Sequence, residues 1–470
     1  MQIAPAGDRA LLITLPGASS AGLRAAAGSV RRVAGVLAAI VGHHSLYVIG
    51  TRDIAAVEKA IEQSAVSDSG PARQHRIAVS FHEEQAIDLN EFLAHAQITR
   101  DAFMQRIPSV RLSVRYLGFR AGFAYLDGWP REWSMPRRAT SRNRIPGGSF
   151  GIAGGMAGFY PVDSPGGWNI LGRTDATLWD PSREPPNLFA PGDEIEILAG
   201  MRAEGEGMRV KTISPHPSSL SPLANVITAG QLTTIVGPTD WSRLEHGLSP
   251  GGPFDEGAAA IANAAVGNPP DAPLLECVLV GPKLETKLRT AFCDGELNVR
   301  QTTDVGRIRG MRGYLAIEGG VDEMRPRYAD PVVLKKGDLL SSAHLPARGE
   351  RVPLSGAKGR VRGDRHTIRI MRGPHDAPPL PEEWEVTPQM NRIGVRLRPL
   401  QSIDVQLPTD LPSCGAQFGT LQWHADGSLM ALGPDHPVTG GYLQPATVIW
   451  NERWKLAQLA PGDRVRLVAV

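Results

Sequence analysis

The sequence predicts a mainly β protein with α+β elements, built as two fused β-rich halves behind a small N-terminal α/β subdomain, and three observations predict it. Glycine (52 residues) and proline (39 residues) are spread among short apolar runs instead of forming one low-complexity block, the pattern of many short strands joined by tight turns. From Leu112 to Ile197 the helical period nearly vanishes, so a barrel or sandwich is the natural reading there. A turn sequence also recurs: Leu188-Phe-Ala-Pro-Gly-Asp-Glu-Ile-Glu-Ile197 closes the first half and Leu459-Ala-Pro-Gly-Asp-Arg-Val-Arg-Leu467 the second. Each is a Pro-Gly turn feeding an alternating strand, and a weaker copy, Leu334-Lys-Lys-Gly-Asp-Leu-Leu340, ends a unit inside the second half.

The elements follow in order. Ala21 to Ala39 is alanine-rich and helix-permissive, and Ser45 to Ile49 is a β-branched and aromatic strand. The polar stretch Ser64 to Gln74 separates this subdomain, 1–75, from a barrel over 76–203 that starts with the strand Ile77 to Ser80. Ser-Pro steps mark 204–223 as a linker, since proline biases the residue before it to extended conformations. The second half divides at 224–345 and 346–470. Within it Asp255 to Val266 reads as a helix, with acids at its positive end, Gly267-Asn-Pro-Pro270 as its stop, and Ala258, Ala262 and Ala265 allowing close approach to a sheet.

Composition excludes several classes of function. The chain has 470 residues, enough for about three compact units at roughly 150 residues each. Fifty basic against 48 acidic residues leave a formal charge of +2, so no global field draws it to nucleic acid or anionic lipid. Cys277, Cys293 and Cys414 form no CxxC pair and are odd in number, which fits buried thiols in a reducing compartment. With no run of about 18 apolar residues and no signal-like N-terminus, a cytoplasmic location is expected.

Two stretches carry candidate chemistry. Ile145 to Tyr160, Ser164-Pro-Gly-Gly-Trp168 and Leu171-Gly-Arg-Thr174 hold nine glycines between Gly147 and Gly172, which let a backbone approach a ligand while Tyr160, Ser164 and Arg173 donate directional hydrogen bonds. No Gly-Lys-Ser/Thr follows, so this is not a Walker A loop, and turns of a crowded barrel explain the glycines equally well. The second stretch is Pro434-Asp-His-Pro-Val-Thr-Gly-Gly-Tyr442, where Asp435 and His436 suit proton transfer. Adjacent residues on a strand face opposite ways, so a direct dyad needs a bend there. No zinc-ligand spacing and no nucleophile elbow occurs, and no metal site is expected.

At these motifs the sequence resembles the bacterial 5-oxoprolinase B and C subunits, also known as allophanate hydrolase subunits one and two, fused in that order. The first-half resemblance runs through Gly7-Asp-Arg-Ala-Leu-Leu12, Ser45-Leu-Tyr-Val48, Leu117-Gly-Phe-Arg-Ala-Gly-Phe-Ala-Tyr-Leu126, Pro146 to Gly158 and Tyr160 to Thr174. In the second half it runs through Leu232-Thr-Thr-Ile235, Asp255, Ala262-Asn263, Val266 to Asp271, Leu275-Glu276, Tyr314 to Ile317, Gly319-Gly320 and Thr439-Gly-Gly-Tyr442. The family's Ser-Asp-Arg appears as Gln389-Met-Asn-Arg392, which keeps the arginine, and the loop after Gly320 is short.

The resemblance implies cyclophilin-like β-barrels and ATP-dependent opening of a cyclic amide, 5-oxo-L-proline to L-glutamate. It also implies Mg-ATP as co-substrate, a separate partner subunit of the 5-oxoprolinase A type and an oligomeric assembly. On this expectation Arg392, Asp435 and His436 are the catalytic groups, and Arg173 joins Arg392 in holding anionic oxygens. Gly148, Ser149, Gly154, Gly155, Tyr160, Ser164, Trp168, Thr174, Gln389, Thr439, Gly440, Gly441 and Tyr442 then line the cleft. Carboxyl transfer on a urea-like amide is an alternative, with biotin delivered in trans because no Met-Lys-Met attachment sequence is present. A catalytically silent regulator similar to a kinase inhibitor is another.

Overall fold

A computed structural model describes residues 1–64, 72–199, 224–294, 296–317, 321, 332–336, 338–340, 366–401, 407–408 and 411–470. The expected linker 204–223, the division at 345/346, Gly319-Gly320 and most of the loop after them lie outside the described residues, as do 65–71 near the expected first boundary.

The N-terminal subdomain comprises β1 (Gln2–Pro5), β2 (Ala10–Thr14), α1 (Ser20–Val30), β3 (Ala38–Val41), β4 (Ser45–Ile49) and α2 (Ile54–Glu62). Its sheet, in the order β1-β2-β4-β3, is antiparallel throughout. Leu11, Ile13, Leu46 and Val48 face the helices, whereas Ala10, Leu12, Tyr47 and Ile49 pack against Leu244, Cys414 and Val438 of the second half. Burial on both faces is why β4 reads as an unbroken apolar run. The helix-permissive reading of Ala21 to Ala39 needs correction: Ser19 caps α1, the helix stops at Val30, and Ala38 and Ala39 enter β3. Pairing of β3 with β4 outweighs the helical preference of alanine.

The first-half barrel contains β5 (Gln74–Val79), α3 (Leu89–His95), α4 (Arg100–Arg106), β6 (Arg111–Leu117), β7 (Ala124–Asp127), β8 (Arg142–Ile145), β9 (Ser149–Ala153), β10 (Met156–Phe159), β11 (Ser164–Gly166), β12 (Asn169–Arg173) and β13 (Glu194–Ala199). Seven strands run in the order β12-β9-β10-β7-β6-β13-β5. The two edges meet where Ser80 and Arg173 exchange backbone hydrogen bonds of 2.8 and 2.9 Å. Phe92, Phe103, Trp129 and Trp133 fill the core that α3 and α4 help to cover.

The second half opens with β14 (Ala224–Thr228), β15 (Leu232–Val236), α5 (Glu256–Ala265), β16 (Leu274–Val280), β17 (Lys283–Glu285), β18 (Thr290–Cys293), β19 (Val299–Arg300), β20 (Arg307–Ile317), β21 (Val332–Val333) and β22 (Leu339–Leu340). Its main sheet is β19-β18-β20-β16-β15-β21, and Ala258, Ala262 and Ala265 of α5 are buried in the cluster that contains Tyr314 and Ala316. The remainder is β23 (Thr367–Arg372), β24 (Glu383–Met390), β25 (Gly394–Pro399), β26 (Cys414–Gly415), β27 (Thr420–Trp423), β28 (Leu429–Leu432), β29 (Thr439–Gly440), β30 (Leu443–Val448), α6 (Trp454–Ala457) and β31 (Arg464–Ala469). Seven of these strands close a barrel, β23-β30-β27-β28-β25-β24-β31, while β26 pairs with β29 alongside it.

The repeated turn has one geometry in all three places. Asp193 accepts from the Ala190 amide at 2.9 Å and Asp463 from the Ala460 amide at 2.9 Å, each side chain bridging its own turn. The carbonyls of Asp193, Asp463 and Asp338 accept from Val114, Val386 and Val226 at 2.8, 2.9 and 2.9 Å. In both barrels the strand after the turn lies parallel to the first strand of its barrel, β13 on β5 and β31 on β23.

Candidate functional site

Arg392, in the turn between β24 and β25, is the hub of a buried polar network. Its guanidinium grips the Asp435 carboxylate through two bonds of 2.7 and 2.9 Å, donates to Glu276 at 2.9 Å and to the Gly252 carbonyl at 2.7 Å. Glu276, 1% exposed, also accepts from Arg312 (2.9 Å), the Tyr314 hydroxyl (3.1 Å) and the Phe254 amide (2.9 Å). Burial alone would raise the Glu276 carboxyl, but the two guanidiniums outweigh it and hold it below its ordinary value. Gln458 extends the network to Asp255, the N-cap of α5. These bonds join the β16–β20 sheet to the C-terminal barrel, and they commit every nitrogen of Arg392.

The expected proton-carrier pair does not form. Asp435 turns to Arg392, whereas the His436 ring, 1% exposed, meets the Pro437 carbonyl at 2.9 Å. Burial pushes the imidazole down to about 4, so it is neutral at pH 7 and sealed from any substrate. Asp435 lies in a turn closed by the His436 amide on the Gly433 carbonyl at 3.3 Å, and the two side chains go to different partners.

The glycine-rich run is also occupied largely by packing. A methyl group on Gly158 would meet Trp168 at 3.1 Å and one on Gly166 the Tyr160 hydroxyl at 2.5 Å, so these glycines make room for aromatic rings. The amides of Gly148, Ser149 and Gly154 bond to the carbonyls of Tyr160, Pro146 and Met135. None of those three amides is left to cradle a phosphate. Arg173 donates to the Gly147 carbonyl at 3.0 Å, Ser164 to the Val162 carbonyl at 2.9 Å, and the Thr174 hydroxyl accepts from the Ala176 amide. Gly155 is exposed at the β9–β10 turn, and Gln389 is an exposed residue bonded to Thr387. Arg173 sits at the opposite end of β12 from Trp168, roughly 16 Å away at about 3.3 Å per residue.

What the fold brings together is a seam between the halves. The turn after β6 runs directly under β29: a methyl group on Gly118 would fall on the Thr439 hydroxyl, so only glycine fits. That Thr439 hydroxyl is buried without a hydrogen-bond partner among the described residues. Phe119 follows with φ of +62°, in a tight turn closed by the Arg120 amide on the Gly118 carbonyl at 2.7 Å. On the first-half side Tyr116 and Tyr125 stack at 4.3 Å, and Phe123, Tyr160 and Trp168 continue the wall. On the other side Gly440 lies against Gln422, and the exposed Tyr442 ring sits 4.6 Å from His424.

The electrostatics of the seam favour donors over bases. Burial raises the phenols of Tyr116 and Tyr125 well above their ordinary value and brings Tyr160 up to about 12, so all three keep their protons. Burial also lowers the His424 imidazole, keeping it neutral, and its Nε2 is buried without a hydrogen-bond partner among the described residues. His375 differs: its Nδ1 accepts from the Gln444 amide at 3.0 Å, so the proton sits on Nε2 and points toward Cys414 Sγ at 3.9 Å. The Cys414 thiol, pushed up to about 12, is therefore not activated. His375 also lines a 510 Å³ cavity between Arg372, Pro378 and Arg466 that contains none of the expected site residues.

The expected residues Tyr160, Trp168, Thr439, Gly440, Gly441 and Tyr442 thus belong to the seam or its walls, whereas Arg173, Arg392, Asp435, His436 and Gln389 do not. His424 and Arg137 escaped the sequence reading. Arg137 is the positive charge felt most strongly by both Tyr125 and Tyr160. Among the described residues no group of three or more histidine, cysteine, aspartate or glutamate side chains is placed to hold a metal. No described helix is long and apolar enough to cross a membrane.

Comparison with known proteins finds relatives of both halves. Residues 1–189 match the family model "Carboxyltransferase domain, subdomain C and D", and 246–305 with 293–469 match "Carboxyltransferase domain, subdomain A and B". The chain is 40% identical over 111 residues to the 5-oxoprolinase B subunit of Escherichia coli O157:H7, covering 24% of this chain and 51% of that relative, so it spans about half the relative's length. It is 28% identical over 284 residues to the 5-oxoprolinase C subunit of Escherichia coli K12, covering 52% of this chain and 91% of the relative. The crystal structure of TTHA0988 superimposes with a TM-score of 0.81 at 26% identity, covering 98% of this chain and 99% of the other.

Proposed function

The chain belongs to the carboxyltransferase-domain family, joining subdomains C and D to subdomains A and B, and from that premise we propose that it is the fused B and C component of an ATP-dependent cyclic-amide hydrolase converting 5-oxo-L-proline to L-glutamate. The contact of Gly118 with Thr439 carries this reading, because it closes one seam from two motif runs whose relatives are separate subunits. Fusion makes the association of the two halves permanent and their local concentration high.

In this reading the seam binds and orients. Trp168 and Tyr125 hold the flat face of the amide, and the half-buried, protonated Tyr125 donates a hydrogen bond to it. ATP supplies activation of the amide oxygen, together with a separate partner subunit of the A type. Carboxyl transfer remains the second reading, favoured by the descriptions of the two matching family models.

The test is ATP consumption coupled to glutamate release from 5-oxoproline, with the chain alone and with a candidate partner subunit. Turnover appears with the partner and falls at least tenfold in Tyr125→Phe. A correctly folded complex that releases no glutamate defeats the proposal and leaves carboxyl transfer or a regulatory role.

A further inference from the structure

We propose that Arg137 is the carboxylate-recognising residue of the seam, so that the substrate is a small cyclic amide bearing an anionic group rather than a neutral urea-like amide. The inference rests on the seam being where the amide is bound, and it deepens that reading.

The backbone around Arg137 is clamped beside Trp168. Asn169 donates to the Pro136 carbonyl at 2.9 Å on one side, and the Arg138 amide donates to the Gly167 carbonyl at 2.9 Å on the other. A methyl group on Gly167 would lie 3.9 Å from Arg137 Nε. Four arginines occupy this segment, and three are committed. Arg138 bonds Asp88 and Glu91 at 3.0 Å each, Arg142 grips Asp88 at 2.6 and 2.9 Å, and Arg144 reaches Asp163 at 2.7 Å. Arg137 is exposed and has no ion pair or hydrogen bond to a carboxylate among the described residues.

The two Asp88 bridges hold the segment rigidly to α3 and β12, and Asp88 itself is 3% exposed and accepts from the Ile170 amide at 2.7 Å. The remaining guanidinium faces Gly167, and the neighbouring Gly166 faces the Tyr160 hydroxyl, which a methyl group there would meet at 2.5 Å. A planar fork next to hydroxyl donors and an aromatic wall recognises a carboxylate attached to a flat ring. It gives no advantage to a neutral amide.

The experiment measures binding by calorimetry to the full chain, using 5-oxoproline, the same ring without its carboxylate (2-pyrrolidinone) and urea as probes. Wild type binds 5-oxoproline about 10- to 100-fold more tightly than 2-pyrrolidinone, the range of a charge-assisted hydrogen-bond pair. Arg137→Gln removes that preference and leaves 2-pyrrolidinone affinity unchanged, whereas Arg137→Lys keeps part of it. Equal wild-type affinity for the two rings, undiminished 5-oxoproline binding in Arg137→Gln, or no saturable 5-oxoproline binding at all overturns the assignment. Carboxylate-dependent binding without glutamate release would instead sink the hydrolase reading and leave Arg137 in its role.

Discussion

The Arg392 network and the segment around Arg137 are both rich in arginine, yet their chemistry is opposite. Around Arg392 every charge has its partner in place: Asp435, Glu276 and a backbone carbonyl take the guanidinium, and Glu276 is shared with Arg312. Around Arg137 the acids have gone to its neighbours, Arg138, Arg142 and Arg144. A fully paired buried charge fixes how two sheets sit, and an unpaired one beside an aromatic wall waits for something to bind. The difference teaches that an arginine in a family motif is not thereby a ligand contact.

The largest expected effect tests the first side of this contrast. Glu276→Gln leaves two buried guanidiniums without their shared carboxylate and costs about 3–5 kcal/mol, read from urea unfolding. Arg137→Gln, under the same measurement, changes stability by less than about 0.5 kcal/mol. A Glu276→Gln loss below about 1 kcal/mol would mean that the network is not what holds the sheets.

The next effect is the pH dependence of folding. His436 stays neutral in the folded chain down to about 4, whereas in the unfolded chain it takes a proton near 6.5. The unfolded state therefore binds more protons between those values, so stability is complete above pH 6.5 and falls as the pH drops toward 4, by up to about 3 kcal/mol. His43, His375 and His424, lowered by burial in the same sense, add to the fall. The slope difference between wild type and His436→Gln isolates its share, and superimposable slopes would show that the ring is hydrated.

A smaller effect than either loss of charge pairing or protonation probes the seam. Gly118→Ala forces a methyl group against Thr439 and costs about 1–3 kcal/mol by overpacking, with Thr439→Ala in the same chain recovering part of it. An unchanged unfolding midpoint in Gly118→Ala would show that the two halves do not press together there.

Much of the fold was legible because local and tertiary preferences agree. The acidic start and the alanine face of α5 and the Pro-Gly-Asp turns are each specified within a few residues and appear as read. Ala38 and Ala39 were misread because their strand depends on β4, which no local signal announces. The site was harder. Which of four clustered arginines stays unpaired depends on Asp88, Glu91 and Asp163, between 19 and 54 residues away, and so cannot be read from spacing. Likewise the glycines at 158 and 166 answer to rings at Trp168 and Tyr160, not to a ligand.

The parallel seating of β13 on β5 and of β31 on β23 makes each barrel depend on its own final residues. As the chain emerges from the ribosome, the first barrel can shut once residue 199 is free, before the strands of the second exist. The other cannot shut until Ala469 has been released, and until then β23 and β24 present open edges to any neighbouring nascent chain.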